Sequence, residues 1–143
     1  MTGDGEAGYR LKLAEGFLGE ARQDLILNRW RSAVDNAQLA VENAAKSVLA
    51  LVGPVGRTHT PAAPLRSALG AGLFPEETQP MVERLTEQAE MLGPDVHIQT
   101  DYGDEMGNLT PWELFDGADA AQSVTIAEEA LGLAQAIIEA IRR

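Results

Sequence analysis

The chain has 143 residues, 45% hydrophobic and 23% charged, enough for one domain with a single core. It has no cysteine, which excludes disulfides and thiolate metal sites. A net charge of −11 argues against strong general nucleic-acid binding, which depends on Lys and Arg neutralising phosphates. A local basic site is still compatible with that charge. Arg29 with Arg31, and Arg142 with Arg143, form two small clusters that read most simply as solvated helix ends.

Residues 1–8 are polar and Gly-rich and are expected to form a disordered tail, leaving 9–143 as one domain. The opening has no apolar run suited to a signal peptide. No stretch offers the roughly 20 uninterrupted apolar residues of a membrane span. The expectation is a cytoplasmic protein with no membrane contact.

Tyr9 to Asn28 traces a helical face through Leu11, Ala14, Phe17, Leu18, Ala21 and Leu25. Gly16 and Gly19 weaken that helix, each by about 1 kcal/mol relative to Ala, and close contact with a neighbour would explain them. The next segment, Trp30 to Val52, carries the strongest pattern. Apolar residues at Trp30, Ala33, Val34, Ala37, Val41, Ala44, Val48 and Leu51 repeat at i, i+3, i+4, i+7. Asp35, Gln38, Glu42 and Lys46 make its opposite, polar face. The two helices meet near Asn28 and Arg29 with little room for a loop, so they should pair antiparallel.

Gly53-Pro54 stops the long helix. A loop, GPVGRTHT, leads to Thr60-Pro61, which reads as an N-cap and a first-turn Pro ahead of a short helix ending at Gly70. Pro75 to Leu92 is a further helix with a stripe of Met81, Leu85, Ala89 and Leu92. Asp95 to Asn108 has no helical period and reads as an irregular loop. Thr110-Pro111-Trp112-Glu113 has the form of a capping box. Asp116 or Asp119 then caps the last helix, Ala120 to Ile141. No segment reads as a strand. The fold class is all-α: an up-down antiparallel bundle of four to five helices.

The segment AVDNAQLAVENAAKSVLALVG resembles the second helix of the HEPN domain family. The family pattern is matched by Ala33, Ala37, Gln38, Ala40, Glu42, Ala44, Lys46 and Leu49. His59 stands where the family often has a loop His, and His97 to Asp104 stands where it has Tyr-Ile-x-x-Arg-Tyr-Pro-Asp. The resemblance runs from Tyr9 to Ile141. It implies a helical bundle and commonly a homodimer. It also implies one of three roles: metal-independent ribonuclease, often a toxin; partner of a minimal nucleotidyltransferase; or nucleotide binder. The nuclease members use an Arg followed four to six residues later by His. Here Asp101 stands in place of that Arg, Gly103 in place of the Pro, and no His follows Tyr102. A carboxylate there would repel the phosphate that a nuclease must stabilise. No activity through the usual site is expected.

The candidate ligand residues are His59, Arg57, Tyr102, Asp101 and Asp104. His59 could contact a nucleotide or act as a base, against the plainer role of packing or capping. Tyr102 could stack on a base, against anchoring its loop on the core. Asp101, Asp104 and Glu105 near His97 could hold a cation, but their spacing matches no binding loop and a solvated acidic turn is simpler. Trp30 and Trp112 read as core or dimer contacts. No catalytic residue, metal or cofactor is assigned. The leading expectation is a non-catalytic HEPN-like domain: a homodimeric partner or nucleotide-binding accessory of a minimal nucleotidyltransferase, in a toxin–antitoxin setting. The alternatives are a ribonuclease with a rearranged site at Arg57 and His59, and a structural scaffold.

Overall fold

Helix α1 (Gly3–Ile26) and helix α2 (Trp30–Leu49) open the chain in the computed structural model, which describes residues 3–142. The turn between them is short because α1 closes on itself. The Arg29 N–H donates to the Asp24 carbonyl (2.8 Å) and the Asn28 N–H to the Leu25 carbonyl (3.2 Å). Asn28 takes the left-handed conformation this closure needs, with φ 58°, and Asn tolerates that region better than most residues.

Then come α3 (Ala62–Gly70), a short 3₁₀ turn (Glu76–Thr78) and α4 (Gln79–Met91). Helices α5 (Pro94–Tyr102), α6 (Pro111–Leu114) and α7 (Gly117–Arg142) complete the chain. The all-α bundle is as expected. The only strand-like pairing among the described residues is an isolated bridge between Asp104 and Leu109.

Helix α2 touches every other α-helix. That is why its residues from Ala40 to Leu49 are all buried. It packs chiefly against α1 and α7, and these three long helices share one core. The contact surfaces are rich in alanine: Ala14 and Ala21 on α1, Ala37 and Ala44 on α2, Ala127 and Ala134 on α7. Small side chains let helix axes approach closely. Helix α4 closes one flank against α7 and α3, and α5 lies on α2.

Four expectations about the helices differ from the structure. The tail expected over residues 1–8 is helical from Gly3, while Met1 and Thr2 lie outside the described residues. Ala7 is fully buried against Ala50 and Val55, so tertiary contact extends α1 into a stretch of weak propensity. The irregular loop expected from Asp95 begins instead with α5. Its face to the core is narrow, with only Thr100 fully buried, so no apolar period marked it. Thr60 does not cap α3. The N-cap is Pro61, and the Thr60 N–H turns back to the Thr58 hydroxyl (3.0 Å). Gly16 and Gly19 face solvent, and a Cβ at either would meet nothing within 4 Å.

Two caps do form as the sequence indicates. Thr110 and Glu113 make a reciprocal capping box at α6. At the start of α7, Asp116 accepts from the Asp119 N–H (2.8 Å) and Asp119 accepts from the Asp116 N–H (3.1 Å).

Candidate functional site: two histidines on the polar stripe of α2

Asp35, Gln38, Glu42 and Lys46 recur every three or four residues, which puts them on one face of α2. In the sequence they mark only the polar face of the helix. The structure covers it: Gln38, Glu42 and Lys46 are each 6% exposed or less. The covering pieces are the loop after α2 and helix α5. Val55 pins the loop to Ala7 and Ala50. Helix α5 is held by Thr100, whose hydroxyl lies 2.7 Å from the His97 carbonyl and 3.3 Å from Asp35 Oδ1.

These two pieces carry the two histidines of the chain, and both reach the stripe. His59 Nδ1 lies 3.5 Å from Glu42 Oε1, and His97 Nδ1 lies 3.6 Å from Asp35 Oδ1. Both are electrostatic contacts too long for good hydrogen bonds. The imidazole rings face each other at 6.5 Å between centroids and 12° from parallel. Below them, Lys46 Nζ donates to Glu42 Oε2 at 3.0 Å, with both side chains almost wholly buried. Gln38 Oε1 and His97 Nδ1 are buried without a hydrogen-bond partner in the protein.

Chemically this is two imidazoles, each beside a carboxylate, over a buried ion pair. The cation in the group is not free, because Lys46 is committed to Glu42.

The other candidates do not join this group. Asp101 and Tyr102 are exposed at the end of α5, with Asp101 one turn beyond His97 on the same helix. Tyr102 is 65% exposed, so it does not anchor its loop on the core. Asp104 is tied into the following turn, where its Oδ1 accepts from the Gly107 N–H (3.1 Å). Arg57 is exposed in the loop two residues before His59. Trp30 packs against the core, whereas Trp112 is 73% exposed and is not a core residue. Among the described residues no cluster of three or more His, Cys, Asp or Glu could hold a metal ion. No helix among them is long and apolar enough to cross a membrane.

The sequence singled out His59 but not the residues that receive it, Glu42 and Lys46, and it set His97 only beside an acidic run. One signal was available. A long helix that must pack on several others has little solvent face left for four polar residues, so some of them had to be buried and paired.

The wider comparisons agree with this architecture. The family model described as the HEPN domain matches residues 7–143. The crystal structure of TT1696 from Thermus thermophilus superposes with a TM-score of 0.66 at 22% identity, covering 90% of this chain and 95% of that one. At that identity the likeness shows the shared fold alone. No curated protein matches the sequence significantly. With the family pattern spanning nearly its whole length, the chain belongs to the HEPN domain family.

Proposed function

We propose that this HEPN domain is a non-catalytic accessory: a homodimeric partner of a minimal nucleotidyltransferase in a toxin–antitoxin setting, with a nucleotide as the candidate ligand of the His59 loop. One observation supports the reading above others. Metal-independent RNA cleavage needs an acid–base group and a cation free to meet the phosphate. Here the cation below the histidines, Lys46, is buried and already paired with Glu42. Asp101 adds another carboxylate one turn beyond His97.

Purified protein incubated with RNA is expected to leave it intact. Sedimentation at micromolar concentration is expected to give a dimer. Co-expression with a nucleotidyltransferase encoded beside it is expected to give joint elution. Cleavage that vanishes in His59→Ala would overturn the non-catalytic reading; a monomer would remove the dimer; separate elution would remove the partner.

A second reading has its own support in the near-parallel imidazoles 6.5 Å apart, each with a carboxylate beside it. On that reading the chain is a ribonuclease with a rearranged site, in which His59 and His97 share the proton transfers and Arg57 supplies the cation. The same RNA assay with His59→Ala and His97→Ala separates the two.

A further inference from the structure

A cleft of about 310 Å³ opens between the α1–α2 turn and α6, lined by Arg29, Trp30, Arg31, Ser32, Trp112 and Phe115. In a chain of net charge −11, it gathers two arginines, two indoles and a phenyl ring. We propose that this cleft binds a small aromatic anion, meaning a planar ring that carries a phosphate or a carboxylate.

The cationic half has binding capacity to spare. The Arg31 Nε is buried with no hydrogen-bond partner in the protein. An arginine carries five N–H donors in a planar fork, suited to two oxygens of one anion. The Arg29 side chain is 65% exposed and comes only within 3.9 Å of Asp24, too far for a hydrogen bond. The other oxygen of that carboxylate, Asp24 Oδ2, accepts from Ser32 (2.7 Å) and Asn36 (2.8 Å).

The neighbouring acids are occupied as well. Glu113, beside Trp112, accepts from the N–H and hydroxyl of Thr110. Asp116 and Asp119 cap one another's backbone. Asp35, one turn along α2 from Arg31, is engaged by Thr100 and His97. Helix α2 also begins at this cleft with no side-chain cap and no acidic residue in its first turn, so its positive end adds to the two guanidinium charges.

The aromatic half is equally specific. The Arg31 guanidinium lies over the Trp112 ring, 5.5 Å from its centroid. That stacking holds the cation beside an indole that is 73% exposed. Covering an indole with a second planar ring removes apolar area from water, and stacking adds to it. Anion and ring would thus be read by Arg31 and Trp112 together. The volume lies at the small end of ligand sites, which suits a single ring or a single nucleotide.

The cleft is distinct from the His59 loop, so the proposal does not rest on the function proposed above. The chain has two tryptophans, Trp30 and Trp112, and both line the cleft, so ligand binding is read by tryptophan quenching and checked by calorimetry. The probes are adenosine monophosphate, benzoate, adenosine and inorganic phosphate. At least one of the first two is expected to bind at least tenfold more tightly than both adenosine and phosphate. Which of them binds more tightly tells a nucleotide from an aromatic carboxylic acid. Trp112→Ala and Arg31→Ala are each expected to weaken that binding at least tenfold, and Arg84→Ala, outside the cleft lining, to leave it unchanged. Trp112 and Arg29 are exposed, so Trp112→Ala and Arg29→Ala serve if Arg31→Ala fails to fold. Absence of binding by both aromatic anions overturns the proposal. So does phosphate binding as tightly as either of them, or unchanged affinity in the Trp112 variant.

Discussion

Glu42 and Lys46 pair one turn apart on α2 with side chains 7% and 5% exposed. A pair this dry is held in place less by its own attraction than by what happens when one member is lost. Removing one charge leaves the other buried and uncompensated, which costs about 3–5 kcal/mol, whereas replacing both by apolar residues of similar volume is often close to neutral. Lys46→Met is therefore expected to lower the urea midpoint strongly, and Glu42→Leu with Lys46→Met to recover most of the loss. Equal loss in the single and double variants would mean that packing, not charge, sets the cost. His59 adds a third party to Glu42 from a loop position, but its side chain is 76% exposed, so water screens that contact.

At the scale of elements, the helices differ in how far local sequence specifies them. In helix α1, Gly16 and Gly19 lie in open solvent, where each loses backbone entropy on folding and gains no contact. Gly16→Ala and Gly19→Ala are each expected to stabilise the protein by roughly 0.5–1 kcal/mol, read as a rise in the denaturant midpoint. Destabilisation instead would show that a surface against this face of α1 needs the missing side chains. The end of α5 shows the opposite case. Gly103 has φ 69°, and a Cβ there would run into the backbone of Leu109, Thr110 and Pro111. Gly103→Ala should thus destabilise by more than about 1 kcal/mol, visible in the same measurement. It should also loosen the Asp104–Leu109 bridge, whose N–H groups would exchange faster with solvent. Helix α6 lies between these cases. Its four residues are legible from the Thr110–Glu113 box alone, because a capping box is a local hydrogen-bond pattern.

For the molecule as a whole, the acidic composition sets the response to pH. The Arg66 guanidinium holds the Glu90 carboxyl below its ordinary value. The Thr110 hydroxyl, then its N–H, does the same for Glu113, and the Asp119 N–H does so for Asp116. A carboxyl whose value is lower folded than unfolded stabilises above its unfolded value, near pH 4, and that gain is lost as pH falls through the folded value. The thermal midpoint is expected to stay nearly flat down to about pH 5 and to fall below pH 4. The Arg66–Glu90 pair is exposed and ionic, so high salt should weaken its share of the decline. A midpoint that rises on acidification to pH 3 would contradict this account.

The all-α class, the positions of the long helices and the tight α1–α2 turn were legible in the chain before any coordinates, because they rest on hydrophobic period and on capping and breaking residues. Those signals act over a few residues and survive in any context. The site was only half legible. His59 stood out by its position, and the replacement of the family's Arg by Asp101 was visible directly. That His59 meets His97, that Glu42 and Lys46 are buried beneath them, and that Trp112 stands in solvent beside Arg31 depends on how α5, α6 and the loop after α2 fold back on α2. These contacts join residues tens of positions apart, and no local period encodes them. A polar residue on a helix face looks the same in sequence whether water or another helix covers it. Only packing decides which, and here it buried the polar side of α2 beside the two histidines.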